Sequence, residues 1–464
     1  MIRPSCLASF LGVPRSLAPA RWNNFSPRFG LAWAPASPGG LIGKLLGQDQ
    51  TSIRLGFGRF FSAVEGVQIG VMAGDPPYGS TYTSPTPPLF ADPFVNAADG
   101  TNNGQRFPLQ LPKLGASPSN PNSTVDWAQF EPISGMPAYD PRDRSPYAEQ
   151  YNLSIERQFD RNTLLTLGYV GSQAHRLLVM LPANPGIASR CLAIAGCGPF
   201  DEDLYQTRGP FSTDFSDVTW MSTIGNSNYN ALEVNLRHQS RTLELMAGYT
   251  YSKSLDNASS ISEQLNPFDH RWSYALSAFD LKHNFVTSFD YALPSGQLFR
   301  SSNVLTNGWS ISGITHIAGG FPVTMHNDSD RSLTGLQRNG VNNTWGLDTP
   351  DVLPGSLQLN GNPHIGPYFN TSQFSFQPLG EVGSAKPRYF YGPGMINVDL
   401  SLQKRIELAE NKTLDFRMDA FNVFNHPQYF GPDTVDGDIS SGTFGQIVKA
   451  QSPRLMQAAL KFRF

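Results

Sequence analysis

Taken in steps of two, the chain separates apolar from polar positions in eleven stretches. In the last, Arg454-Leu-Met-Gln-Ala-Ala-Leu-Lys-Phe-Arg-Phe464, the side chains of Met456, Ala458, Leu460, Phe462 and Phe464 fall on one side and Gln457, Ala459, Lys461 and Arg463 on the other, because successive side chains of a strand point to opposite faces. Within Asn228–Gln239, Leu232, Val234 and Leu236 oppose Glu233, Asn235 and Arg237. From Ile396 onward, Ile396, Val398, Leu400 and Leu402 oppose Asn397, Asp399, Ser401 and Gln403. The same period marks Phe25–Pro35, Thr51–Phe61, Tyr147–Phe159, Thr163–Gly171, residues 243–251, Asp280–Leu293, Gly308–Ala318 and residues 415–420. Eleven strands are predicted.

The connections carry a second pattern. Asp160-Arg161-Asn162, Ser240-Arg241, the region opened by Pro294-Ser295-Gly296 and Glu407–Asn411 turn the chain briefly, as does a glycine-containing link after Pro35. Between them lie long excursions: Ser62–Ser145 with its thirteen prolines, Ser172–Ser227, Lys253–Phe279, about His326–Tyr391, and Asn425–Pro453. Short and long alternate strictly. A Greek-key sandwich has no reason to gather every long connection at one end, whereas a membrane barrel has short turns beneath and long loops outside. The expectation is an all-β chain, an antiparallel transmembrane β-barrel wall with long extracellular loops. Tyr147, Tyr169, Tyr229, Tyr249, Tyr291, Trp309 and Phe464 lie near strand ends, where aromatic girdles meet the membrane interfaces.

Composition narrows this further. Charged residues are only 15%, aromatics reach 12%, and 43 glycines and 37 prolines supply turns, a profile of strands rather than helices. A net charge of −3 gives no basic field for nucleic acid. Mean hydropathy is −0.29, and no run of eighteen apolar residues provides a spanning helix. Residues 1–24 are assigned no element. Pro4, Pro14 and Arg15 interrupt any hydrophobic core within Met1–Ala20, so no export signal is read there.

Three cysteines are present. Cys191 and Cys197, with five residues between them, make a short ring that an oxidising compartment can close; two unpaired thiols are the alternative, and metal binding is disfavoured without a nearby partner. Cys6 is left over. Asp433, Asp436 and Asp438 read as a solvated acidic loop rather than a calcium site, since the flanking EF-hand ligands are missing. The eight histidines lack ligand spacing. Neither a Gly-x-Ser-x-Gly elbow, a His-Glu-x-x-His pair nor a P-loop occurs, and Gly56-Phe-Gly58 lacks the third glycine of a nucleotide fingerprint. No enzyme, cofactor or metal site is expected.

Phe416-Arg-Met-Asp-Ala-Phe-Asn-Val-Phe-Asn-His-Pro-Gln-Tyr429 resembles the penultimate-strand signature of TonB-dependent outer-membrane receptors, specifically the Oar-like branch abundant in acidobacteria. Ser145–Arg157, Gly168–Ser172 with His175, Tyr229–Glu233, Tyr249–Ser254 and the final Phe464 resemble that family as well, so the likeness covers about residues 22–464. It implies an outer-membrane location, a receptor barrel of 22 strands for uptake of an unknown ligand, and TonB as partner where the N-terminal part is present. It also implies contact with outer-membrane lipid, and assembly by the barrel-assembly machinery guided by a terminal signal at Leu460, Phe462 and Phe464. The chain departs from the family in showing no signal peptide, plug or TonB-binding segment, and its count of eleven is odd. Residues 25–464 are therefore expected to form the C-terminal half of a barrel, from a truncated product or an N-terminally mis-called frame, that does not close a stable pore alone. The rival reading is an exported β-rich adhesin or binding module without transport.

Overall fold

The computed structural model describes residues 22–35, 40, 50–62, 87–101, 133–139, 143–199, 207, 209, 215–261, 263, 265–294, 303–335, 348–360, 362 and 366–464. Cys6, most of the N-terminal segment 1–24 and most of the proline-rich excursion, including Pro76-Pro77, lie outside these residues.

Eleven strands form one antiparallel meander: β1 (Arg28–Trp33), β2 (Thr51–Phe61), β3 (Tyr147–Asp160), β4 (Thr163–Pro182), β5 (Phe215–Gln239), β6 (Leu243–Asp256), β7 (His283–Ala292), β8 (Trp309–Ala318), β9 (Met395–Ala409), β10 (Lys412–Phe421) and β11 (Leu455–Arg463). Each pairs with its sequence neighbours, and β1 and β11 stand at the two edges. The strand between two short-range contacts needs only a tight turn. Asp160 makes one such turn, its carboxylate accepting from the Asn162 amide (2.6 Å) and the Thr163 hydroxyl (3.0 Å). Ser240 makes another, exchanging bonds with Leu243.

The register carries one face across the whole sheet. Leu31 meets Leu55, Leu55 meets Leu153, and Leu153 meets Tyr169. The row continues through Leu232, Tyr251 and on to Phe285–Ile317, Ile317–Ile396, Leu402–Met418 and Met418–Ala458. On the opposite face Arg54 is followed by Ser154 and Gly168, Asn235 by Gly248, and Ser401 by Asp419 and Gln457. A strand's period is two, so one residue of slippage would turn every apolar side chain to the wrong side. The eleven patterns are thus mutually locked.

Several elements run further than their alternation. β4 continues from Gly171 to Pro182 and β5 begins at Phe215, so part of the excursion between them is an extended hairpin. The ladder shifts at His175/Leu177, where Arg176 adopts a positive φ of 57°, and Leu177 through Leu181 then run apolar without alternation. Backbone hydrogen bonds do not require a two-sided surface, and beyond the bulge Val179 is buried. Ile133–Tyr139, within the segment expected to be irregular, is a strand paired in parallel with Phe215–Met221. Pro88–Leu89 and Asp92–Asn96 form a small hairpin in the same segment. β9 reaches Ala409, which places the following turn at Glu410–Asn411 rather than across Glu407–Asn411.

The hydrophobic core proper is away from the sheet. Val323, Met325, Tyr368, Phe369, Phe374, Phe390 and Val435 cluster at the long-connection end, with the Phe369 ring edge-on to Phe374, Phe390 and Phe444 at 5.2–5.4 Å. The sheet's own apolar face is bare: Leu245 and Leu400 sit among neighbours in their rows, while Leu460, Phe462 and Met456 are more than half or half exposed. Replacing Leu236, mid-row between Leu165 and Ala247, by Arg is expected to destabilise the membrane-inserted sheet by about 2–4 kcal/mol, read as lost outer-membrane yield. Asn235→Arg on the opposite face should leave the yield unchanged.

Candidate functional site

Two surfaces stand out: the polar face of the sheet and the cap made by the long connections. On the polar face charges pair across neighbouring strands and, for Arg417 with Asp419, along β10 itself. Arg54 reaches Glu156 at 3.2 Å, Arg405 and Arg463 both reach Asp415 at 2.9 and 3.1 Å, and Arg417 holds Asp419 at 2.7 Å, which also accepts from Gln457 at 2.8 Å. Such pairs at an aqueous surface contribute little to stability, typically below about 1 kcal/mol each. Their consequence is a wetted wall. A concavity of about 380 Å³ opens on it, with Glu244, Asp290, Asp399, Arg417 and Asp419 around it, and a second of about 620 Å³ lies toward the short turns among Asp290, Arg405, Arg417, Lys461 and Arg463.

At the short-turn end Lys404 occupies the apolar parity of β9. Its stem lies along that face while Nζ donates to the carbonyls of Val304 (2.7 Å), Leu305 (3.1 Å) and Asn307 and sits 5.2 Å from the Trp309 ring. A cation drawn back to polar groups beside a Trp is the arrangement of an interfacial anchor. Trp309 Nε1 donates to the Leu305 carbonyl in the same turn (2.9 Å).

The cap joins four connections. Arg388, fully buried, pairs with Glu263 at 2.7 Å and Asp256 at 3.6 Å and donates Nε to the Leu276 carbonyl at 2.6 Å. Lys386 donates to the carbonyls of Arg271, Trp272 and Tyr274 at 3.1, 2.8 and 3.2 Å. Tyr391 donates to Asp280 at 2.6 Å, and burial followed by that carboxylate pushes its phenol up. The β4–β5 connection joins through Gly186, whose amide donates to the Thr334 carbonyl at 2.8 Å.

The residues singled out from sequence separate into three places. Cys191 is buried in a short helix, Ala188–Leu192, in the β4–β5 connection; its sulfur is bonded to that of Cys197, with Cα atoms 5.3 Å apart. Leu460 and Phe462 extend the apolar row opposite Phe416 and Leu414, and the Phe462 and Phe464 rings stack at 5.7 Å, Phe464 being 91% exposed. Asp436 and Asp438 fasten the β10–β11 connection: Asp436 accepts from Thr443 Oγ1 (2.6 Å), and Asp438 from the Ser440 amide (2.9 Å), the Ser440 hydroxyl (2.7 Å) and the Asp328 amide (3.3 Å). Asp433 turns the chain at a positive φ of 52°.

Among the described residues one group brings histidine and carboxylates together. His326, Asp328 and Asp438 lie with ligand atoms within 4.8 Å, His326 Nε2 being 3.5 Å from Asp328. Asp438 Oδ1 is turned to the amide and hydroxyl donors just given, and the His326–Asp328 contact sits beside that turn. Sequence reasoning missed this meeting, as it missed Arg388 with Glu263, since the partners are more than a hundred residues apart and nothing local marks them.

A family model described as "Outer membrane beta barrel domain" matches residues 5–457. No curated protein matches the chain. Among solved structures, the chain is similar to the outer membrane transporter YddB from Escherichia coli, with 11% identity and a TM-score of 0.44, covering 95% of this chain and 41% of that one. It is also similar to the ferric-catecholate import receptor Fiu from E. coli K12, with 10% identity and a TM-score of 0.37 over 94% and 34% of the two chains. The ferripyoverdine receptor of the Pseudomonas aeruginosa outer membrane gives 9% identity and a TM-score of 0.40 over 95% and 33%. The chain thus spans well under half the length of each.

Glu263→Ala leaves Arg388 with a buried charge poorly compensated, and is expected to destabilise the cap by about 3–5 kcal/mol. Hydrogen exchange should show protection lost over residues 265–280 while residues 243–249 of β6 keep theirs.

Proposed function

The chain belongs to the outer membrane beta barrel domain family, and on that premise we propose that it is wall and cap of an Oar-like TonB-dependent transporter, taking up a ligand through the outer membrane rather than catalysing a reaction. In this reading residues 25–464 form the C-terminal portion of the barrel domain, preceded by the irregular segment 1–24. The observation that carries it is the coincidence of two features in one sheet. An apolar row passes from strand to strand across the eleven, and every long connection lies at one end. Lipid accepts only the first, and an outer surface that meets ligand accounts for the second. The penultimate-strand sequence Phe416–Tyr429 supports the Oar-like assignment by resemblance.

The open edges favour a larger wall. Among the described residues β1 and β11 each pair on one side only, and both are exposed along their whole length. In hydrocarbon a bare edge leaves a row of unsatisfied backbone groups, each costing several kcal/mol, so the sheet needs further strands to span a membrane. TonB enters as partner through sequence beyond this sheet. The barrel-assembly machinery would read the exposed terminal residues Leu460, Phe462 and Phe464, and the bonded Cys191–Cys197 ring suits the oxidising side of the cell envelope.

Topology tests the reading directly. A protease site inserted at Ser240-Arg241 should be protected on intact cells and one inserted at Asp433 cleaved; equal cleavage at both, or release of the protein by buffer alone, would favour the exported adhesin instead. The genomic frame upstream of Met1 is expected to encode an export signal, a plug and eleven more strands. A stop codon with no barrel-like coding before it would remove the import assignment.

A further inference from the structure

The β8–β9 connection contains a group of buried oxygens whose hydrogen count does not balance when every carboxyl is ionised. Asp330, Ser332 and Asp348 are almost completely buried. The Ser332 hydroxyl oxygen lies 2.8 Å from Asp348 Oδ2, 3.2 Å from Asp330 Oδ1 and 2.7 Å from the Thr334 hydroxyl. A serine hydroxyl has one hydrogen to donate and can accept two. With both carboxylates charged, that hydrogen serves one of them and the other faces a lone pair at hydrogen-bond distance.

The remaining contacts show where the missing hydrogen sits. Both oxygens of Asp330 accept from amides, Oδ1 from Thr334 (3.1 Å) and Oδ2 from Gly335 (2.8 Å). Asp348 Oδ1 likewise accepts from the Ser332 amide (2.8 Å) and from Gln377 Nε2 (2.7 Å). Asp348 Oδ2 alone has only the Ser332 hydroxyl against it. We infer that Asp348 carries a proton on Oδ2 in the closed cap, donating to Ser332 Oγ, which donates onward to the Asp330 carboxylate, and that this proton latches the β8–β9 connection. The Thr334 hydroxyl, 2.7 Å away, then meets the second lone pair of Ser332 Oγ.

The latch holds more than itself. The Asn327 amide donates to the Asp348 carbonyl at 3.0 Å, Gln377 joins the segment around Phe376 to the same carboxyl, and the Thr334 carbonyl receives Gly186 from the β4–β5 connection. Among the described residues the charges around it are few. Asp330 meets it through Ser332. Arg331 points its Nε to the Gln377 carbonyl (2.8 Å), with its guanidinium 5.5 Å from the Phe376 ring. His326, Asp328 and Asp438 pair among themselves beside Asn327. The balance around Asp348 is therefore burial and a like charge, and these push its carboxyl up to about 7.

The sign follows from linkage. A carboxyl whose closed-state value is raised above about 3.9 in the open state gives stability that is full below the open-state value and lost as pH rises through the closed-state value. The cap is thus fastened in acid and loosened toward neutrality and above.

Hydrogen exchange on the full chain in outer-membrane preparations, corrected for the chemical exchange rate, tests this over residues 327–335. Opening should increase about tenfold per pH unit between pH 5 and 7 and then level off. Asp348→Asn, whose amide nitrogen at the Oδ2 position donates to Ser332 permanently, should change less than about threefold over the same range. An infrared carboxylic C=O stretch present at pH 5, lost by pH 8.5 and absent from Asp348→Asn gives a readout that does not depend on cap packing, and the wild-type band stands even where the variant folds poorly. Wild-type protection indifferent to pH, a variant with the wild-type slope, or no titrating carboxylic band would each overturn the latch.

Discussion

A peptide group in hydrocarbon has no water to turn to, and its N–H and C=O must be satisfied by other peptide groups. The architecture of this chain follows from that demand. A meander satisfies it with the shortest connections, because each strand's donors and acceptors meet those of its sequence neighbours. The two-residue period then lets one face be Leu, Ile, Phe and Tyr while the other holds Arg54 with Glu156 and Arg405 with Asp415. Neither face has to fill a protein interior, and this accounts for a sheet that leaves Leu31, Leu153, Leu232 and Leu460 exposed.

Where water begins, the rules change within a few residues. Past the bulge at Arg176 the strands continue but their alternation stops, and past the ends of β6 and β8 the chain builds a small globular interior around Phe369. That interior is organised by polar groups as much as by rings. Arg388 reaches Glu263 and Asp256, and Tyr391 reaches Asp280. Each is a long-range contact between connections, and each is costly to break from one side because the partner remains buried. The cap is therefore cooperative in a way that the sheet beneath it, a chain of neighbour pairings, is not.

This division explains what could be read from the residues. Leu232, Val234 and Leu236 against Glu233, Asn235 and Arg237 announce their strand because lipid on one side and water on the other impose a local two-fold code. All eleven strands of the meander were legible for that reason, and so was the alternation of connections. Leu177–Leu181 was not, since a strand whose side chains are buried or half-buried on both faces has no such code. Nor were Ile133–Tyr139 or the meeting of Ser332 with Asp330 and Asp348: serines and aspartates in a glycine-rich loop look alike whether they face solvent or one another. The spacing of Cys191 and Cys197 is a local feature, whereas the burial of Cys191 within the β4–β5 connection is a tertiary fact.

The open sheet also has a sense of direction. Ten connections separate β1 from β11, so both edge strands run from the cap toward the short turns. Two edges of like polarity cannot be joined to each other in antiparallel fashion, and two copies of this sheet placed side by side around an axis normal to the membrane would meet at parallel seams. An antiparallel seam on both sides requires an intervening run whose first and last strands both ascend, and such a run contains an odd number of strands. The wall is thus a directed object, complementary to odd-numbered partners and mismatched to itself.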